Sequence, residues 1–407
     1  MSDYRADNEA DIDTVVDRGE NVALMEPLQI GEGSRHRDEL SDLVVELVGR
    51  AAGFRRGLPQ GVEPALVGLA RTANCYYSNL IEGHYLHPVE IEQALEGEYS
   101  PDSQQRGLQL EARAHIAAQH WIDEGGLTGR ATAADGLREL HRRFCEPLPE
   151  ELLWVEHPAS GQLLRVIPGA LREHEVQVGP HVPVSPGALG RFLARFEAVY
   201  ASGGRLDRVL SAACAHHRLL WIHPFLDGNG RVARLMSHAV LMEHLDTGGV
   251  WSVARGLARN EEEYRRRLMA CDGPRRGGLD GRGQLSEAAL AEFTGFFLWV
   301  CLDQVDFMER LMEPQRLRDR ILRWAEEEVR NDGLPLRSGR VLEAVLYRGA
   351  LPRGDVAGLL DLSERQARRI TSALLSQGVV ESPSFRAPLR LALPATLASR
   401  LMPGLFP

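Results

Sequence analysis

Twelve residues, His223 to Arg234, read HPFLDGNGRVAR and gather most of the reactive chemistry of this chain. Pro224 disfavours helical geometry in the residue before it, so His223 ends the preceding helix and stands beside the turn that follows. Asp227-Gly228-Asn229-Gly230 consists of residues that tolerate positive φ, and successive amides in such a turn converge into an anion-binding nest. The nest opens onto the amino end of the next helix, a ready phosphate site. Arg231 and Arg234 fall in the first turn of that helix, where cations oppose the helix dipole unless an anion is bound there. Their guanidiniums suit polyphosphate oxygens in bidentate contact. Asp227 offers a hard oxygen for Mg2+, which takes one or two carboxylates plus phosphate oxygens. His223 has the pKa range of a general base. A metal set drawn from His216, His217, His223 and Asp227 has none of the usual zinc spacings.

A second charge set against a helix dipole lies upstream. Ala65, Leu66, Leu69, Ala70, Ala73, Tyr76, Tyr77 and Leu80 recur at helical spacing, with Pro64 suited to the first turn and Gly83 to the residue past the end. Glu82 then falls in the last turn, where a carboxylate is disfavoured. Apolar period marks further helices at 38–51, 104–124, 131–145, 188–202, 206–222, 231–244 and 261–269, and one long stretch over 286–325. Residues 146–187 are rich in Gly and Pro, and the alternation of Val176 and Val178 predicts a hairpin or flap. The fold class is mainly α, with one small β-flap and a separate terminal unit. The divisions expected are a flexible acidic N-terminus (1–37), an N-terminal helical region (38–130), a core (131–300), connecting helices (301–336) and a C-terminal unit (337–400).

The 407 residues are 44% hydrophobic and 26% charged, an ordinary composition for a soluble protein of two or three domains. No uninterrupted apolar run approaches 18 residues and the first 20 are acidic, so neither a membrane partner nor a signal peptide is expected, and the location predicted is cytoplasmic. Five scattered cysteines read as reduced, buried thiols. There is no lysine: all 47 basic side chains are arginine. That excludes a Walker-type phosphate loop, a kinase strand lysine and a Schiff-base lysine. Charge is unevenly spread, with 13 acids against 5 arginines in residues 1–50 and 9 arginines against 5 acids in residues 337–390.

The 223–234 segment resembles the Fic family signature at every defining position, and the flanking sequence is similar to Fic proteins over about Leu40–Val300. The resemblance implies transfer of AMP from ATP, with Mg2+, to a Ser, Thr or Tyr hydroxyl of a target protein. It implies His223 as the base, Asp227 as the Mg2+ ligand, Gly228, Asn229 and Gly230 as the α-phosphate nest, and Arg231 and Arg234 on the outer phosphates. Gly230 stands where the phosphorylating branch of the family has lysine. SNLIEG (78–83) matches the family's inhibitory motif, in which Ser78 opens the pattern and Glu82 pairs with the second arginine, here Arg234. The stretch 168–179 resembles the flap that captures a target peptide, and pairing into a homodimer is common among relatives. Tyr264 stands where relatives contact adenine, while helical period accounts for it equally well as a core residue. Removal of AMP through the same residues is a second enzymatic reading.

Residues 338–394 read as helix, helix, turn, helix and two short strands, with Ser363 and Gln366 forming a capping box. This resembles a winged helix-turn-helix, with SPSFRAP as the wing and Arg365, Arg368 and Arg369 placed for a DNA groove. Such units also dock proteins. A DNA-binding transcriptional regulator with a nucleotide-sensing core is accordingly the non-enzymatic alternative.

Overall fold

The computed structural model describes residues 15–59, 61–157, 161–245 and 247–407. Helices α1 (Arg37–Gly57), α2 (Glu63–Ile81), α3 (Pro88–Glu96) and α4 (Ser103–Asp123) form the N-terminal part. α5 (Ala134–Cys145) leads into a short antiparallel hairpin, β1 (Trp154–Glu156) with β2 (Leu163–Arg165), in the register Trp154 to Arg165. There follow α6 (Leu189–Tyr200), α7 (Arg205–Ile222), α8 (Asn229–His244), α9 (Val253–Arg259), α10 (Glu261–Cys271) and α11 (Glu287–Leu311). α12 (Pro314–Arg330) leads to α13 (Ser338–Arg348), α14 (Asp355–Leu360) and α15 (Glu364–Ser376). A ribbon of β3 (Val380–Glu381) and β4 (Arg390–Leu391) and a terminal turn, α16 (Ala398–Leu401), complete the chain.

α7 and α8 pack along one another as a helical pair, and the loop between them carries the HPFLDGNG residues. α11 supports α7 from behind and also touches α1, α9 and α10, while α2 lies against α4, α9 and α8. Among the described residues α11 is the one helix long and apolar enough to span a bilayer, and most of it is buried inside this fold. Glu292 and Asp303 interrupt its apolar run, which is why no such stretch stands out in the sequence. All five cysteines are buried and unpaired.

Several expectations need correction. Residues 1–14 lie outside the described residues, but the rest of the stretch expected to be flexible is packed. Met25, Leu28 and Ile30 are buried, and the Tyr200 hydroxyl donates to the Leu28 carbonyl. Asp17 takes a bidentate ion pair from Arg191 at 2.6 and 2.7 Å, and Glu20 accepts from the Ser185 amide and hydroxyl. The segment escapes sequence reading because its apolar residues follow neither period: Met25 ends a single 3-10 turn (Val22–Met25), and Leu28 and Ile30 follow in irregular chain. The long stretch 286–325 is two helices, broken at Glu313-Pro314, where Glu313 caps the second through the amides of Gln315 and Arg316. The expected boundary at 300 falls inside α11, and α9 has no counterpart in the sequence reading. The hairpin expected within 146–187 forms at 154–165, whereas 168–179, with its alternating Val176 and Val178, reaches only the isolated bridge Val178–His181. Pro180 and Gly179 explain this by turning the chain after too few residues for a ladder.

If the N-terminal segment is part of the core, Leu28→Ala should lower unfolding stability by about 2–5 kcal/mol, read by urea denaturation. A change within a few tenths of a kcal/mol would mean that the segment is merely draped on the surface.

Candidate active site

α7 stops at Ile222, and His223 takes a left-handed conformation (φ 50°, ψ 63°) that only the following turn makes worthwhile. Its Nδ1–H donates to the Leu220 carbonyl at 3.3 Å, so the neutral ring keeps its free lone pair on Nε2. Burial pushes this imidazole down to about 4, which keeps it unprotonated near neutrality. Arg172, itself buried, holds the loop from the flap side. Its Nε donates to the His223 carbonyl at 2.7 Å, its amide to Pro224, and its other nitrogens to His174, Val184 and Ile222 carbonyls. Desolvation lowers even this guanidinium, to about 10.

The turn itself is tied from inside. Asn229 accepts from the Phe225 amide at 3.0 Å and donates back to the Phe225 carbonyl at 2.8 Å. The Phe225 ring points inward and stacks on His141, with centroids 4.0 Å apart and 1° between planes. His141 Nδ1 accepts from the Gly169 amide, so its Nε2–H donates to the Asp227 carbonyl at 3.2 Å. Gly228 begins α8 with φ 78°, a left-handed value that suits glycine. The amides of Asn229, Gly230 and Arg231 open that helix and find no acceptor among the described residues. α8 starts two residues earlier than the sequence suggests, which moves Arg234 into its second turn.

Both arginines are buried and already paired. Arg231 donates to Glu111 at 3.0 Å and to Asp227 at 3.2 Å, its guanidinium lies 4.7 Å over the Phe144 ring, and its Nε has no partner among the described residues. A buried donor without an acceptor, beside a row of open amides, fits an anion. Arg234 donates through Nε to the Ser78 hydroxyl at 2.8 Å, through Nη2 to the Ser78 carbonyl at 3.1 Å, and to the Glu82 carboxylate. Glu82 caps the carboxyl end of α2, and its side chain is 32% exposed. Burial works against its charge, but the Arg234 and Arg231 guanidiniums prevail and hold it below the usual carboxylate range. A Cβ on Gly230 would come within 2.3 Å of Glu82 Oε1, so the carboxylate sits directly against the turn.

The chain thus brings together His223, Asp227, the glycine turn, Arg231, Arg234, Ser78 and Glu82. Asp227 is half exposed and spends one oxygen on Arg231, leaving the other for a cation. Among the described residues no cluster of three or more His, Cys, Asp or Glu side chains could hold a metal ion. The zinc alternative does not form. His216 is taken up by Ser237 and Tyr264, and His217 by Arg218, Asp272 and the Leu268 carbonyl.

Three functional neighbours escape the sequence reading: Glu111, which also accepts from His84 at 2.8 Å, Arg172 and His141. An acid among apolar neighbours in α4 was the available signal for the first. The other two act through backbone groups and leave none. Tyr264 is buried beside Phe293 with its hydroxyl on His216 at 2.7 Å, the core position that helical period allows as the alternative to an adenine contact. Val176 is half-buried and Val178 largely exposed on the flap, and Arg365, Arg368 and Arg369 are exposed on α15, within the C-terminal unit.

Burial also lowers His115 and His216 to about 3, and His141 and His217 to about 4. With His223, these five imidazoles are neutral in the fold but titrate at the ordinary histidine value of about 6.5 once unfolded. Their contribution is full above about 6.5 and lost as pH falls toward 4. His84, raised by Glu111, opposes this in the smaller measure of one group. Urea midpoints should therefore be lower at pH 5 than at pH 7.5, and equal midpoints would contradict the buried neutral rings.

Residues 132–241 match the model of the Fic/DOC family. Over 171 residues the chain is 32% identical to the protein adenylyltransferase Fic of Drosophila willistoni, which is 41% of this chain and 31% of that protein. The Drosophila virilis protein of the same name is 32% identical over 169 residues, again 41% of this chain and 32% of its own length. The chain thus spans about a third of the curated relatives it matches. A crystal structure of a Fic family protein from Desulfovibrio desulfuricans G20 superposes with a TM-score of 0.53 at 17% identity, covering 89% of this chain and 98% of that one, so the helical fold is common to both. These findings support a Fic/DOC family domain over residues 132–241, the segment that holds His223, the glycine turn and both arginines.

Proposed function

We propose that this chain is a self-restrained protein adenylyltransferase, moving AMP from ATP onto a Ser, Thr or Tyr hydroxyl of a target protein. The observation that carries the reading is Glu82 seated on Arg234 against the glycine turn, a carboxylate occupying the place of a phosphate. In the reaction the free Nε2 of His223 takes the target hydroxyl's proton as its oxygen attacks the α-phosphorus. The bond to the oxygen bridging the α- and β-phosphates breaks, and pyrophosphate leaves. The open amides of Asn229, Gly230 and Arg231 hold the α-phosphate oxygens, where they also meet the charge that develops. Negative charge in the nest favours the imidazolium and offsets the low basicity of the buried ring. Bound Mg2+, with Asp227 as its protein ligand, would neutralise the polyphosphate. Arg231 and Arg234 hold the outer phosphates, and while Glu82 keeps Arg234 the nucleotide lies unproductively. The flap at Val176 and Val178, tied to the His223 loop by Arg172, presents the target.

Freeing one charged donor is worth about 1.5–3 kcal/mol, so Glu82→Gly should raise AMP transfer about 10- to 100-fold. Incubation with α- and γ-labelled ATP and a cell lysate reads it: label enters protein from the α position alone, and adding His223→Ala abolishes it. An unchanged rate in Glu82→Gly would sink the restraint, and label from γ alone would make the chain a kinase.

The C-terminal unit favours a second activity, contact with duplex DNA by a winged helix. Ser363 and Gln366 cap α15 reciprocally, and Arg365 and Arg369 stand exposed with no ion pair among the described residues, whereas Arg368 is engaged by Glu364. The loop 382–388 joining β3 to β4 adds Arg386 and an exposed Phe385. Arg365→Ala with Arg369→Ala should weaken binding of a mixed-sequence duplex and flatten its salt dependence by about 2 in the logarithmic slope. Equal binding by both chains would exclude this face.

A further inference from the structure

The last ten residues return from the ribbon and lock onto the back of α2. The Tyr77 hydroxyl donates to the Leu405 carbonyl at 2.8 Å. Arg255 on α9 donates to the same carbonyl at 3.2 Å and to the Gly404 carbonyl at 2.6 Å, while its Nη1 binds Gln304 at 2.8 Å. Its guanidinium lies 3.7 Å over the Phe307 ring. Phe406 meets Tyr76 edge to face at 5.7 Å. Leu401, Met402 and Leu405 are buried, Arg400 pairs with Glu327 on α12, and the Ala395 amide donates to Glu92 on α3.

Helical geometry makes the placement informative. At roughly 100° per residue, Ser78 and Glu82 share a face, while Tyr77 lies roughly 140° around the helix from Glu82. Along its length α2 is tied by Arg71 to Asp123, by Asn74 to Gln119 and Ser252, and by its Ile81 carbonyl to Arg265, but at its last two turns Ser78 and Glu82 meet Arg234 in front while Tyr77 meets the Leu405 carbonyl behind. Glu82 has only a helix-end backbone to set its position, so the rotation and height of α2 decide whether its carboxylate reaches Arg234.

We propose that residues 398–407 act as a strap that sets α2 in the register that seats Glu82 on Arg234, with Tyr77 and Arg255 as the positioning residues. The proposal rests on the reading that Glu82 restrains the site. Because the strap runs on directly from β4, it also joins the C-terminal unit to the restraint. Displacing the strap loosens the end of α2 and releases Arg234 without any change in the residues that face the nucleotide.

The experiment compares the full chain, a chain ending at Pro403 and Tyr77→Phe, each with Glu82 and with Glu82→Gly. Two readouts are taken: AMP incorporation from α-labelled ATP, and hydrogen exchange of amides 73–83. Loss of the Leu405 contacts should raise incorporation about 3- to 10-fold and speed exchange at 73–83, with a smaller change of the same sign in Tyr77→Phe. In the Glu82→Gly background neither change should add activity, an epistasis that a merely structural role would not produce. A shortened chain that folds, is fully active with Glu82→Gly, and yet is unchanged with Glu82 would overturn the strap. If the shortened chain does not fold, Tyr77→Phe decides: unaltered exchange and incorporation overturn it equally. If Glu82→Gly itself transfers no AMP, the enzymatic reading fails, while exchange at 73–83 still shows whether the strap holds the helix.

Discussion

The Glu82–Arg234 pair is the contact on which the rest of the site turns. Each partner stands against the dipole of its own helix, the acid at the carboxyl end of α2 and the cation near the amino end of α8. Together they cancel, because the two helix ends face one another. The pair is a poor device for stability, since desolvating two charges consumes most of what their attraction returns. Replacing such a pair by apolar side chains would serve a structural purpose as well. What an apolar pair could not do is leave a buried guanidinium, already oriented by two bonds to Ser78, ready for a different anion when the carboxylate withdraws.

The loop beside this pair owes its shape to contacts that carry no charge to the ligand. Asn229 closes a ring with the backbone of Phe225, His141 supports that ring from below, and Arg172 fastens the strained His223 backbone to the flap. With those groups spent on the chain itself, the amides at the start of α8 and Nε2 of His223 are left over. Preorganisation of this kind lets a site bind charge without reorganising at the moment of reaction. It also explains why a buried arginine with no carboxylate partner among the described residues is tolerated at 172: its guanidinium donors end on the main-chain carbonyls of His223, His174, Val184 and Ile222.

How far the sequence could be read depends on where each contact lies along the chain. The 223–234 residues are contiguous, so nest, base and arginines could be placed before any coordinates, and the clash of Glu82 with its helix end pointed across space to a cation. Glu111 arrives from a helix more than a hundred residues before Arg231, so its one local signal, an acid among apolar neighbours in α4, does not say which cation it meets. The packed segment around Leu28 is set by what the surrounding surface offers to an aperiodic stretch, whereas the break before Pro314 and the short bridge at Val178 follow from local Pro and Gly residues; period-based reading sees only regular elements and misses both kinds.

The absence of lysine gives the Glu82–Arg234 pair its character. An ammonium in a desolvated pocket can lose its proton and so release a partner, whereas guanidinium stays charged throughout the accessible range. A guanidinium partner therefore gives the site no means of dismissing Glu82 by losing a proton. Nor does mild acid protonate the acid, because both arginines hold Glu82 below the ordinary carboxylate range. A pair that titration cannot open must be opened by geometry, through movement of the helix that carries Glu82. That requirement directs attention away from the pocket and toward whatever grips α2 on its far side.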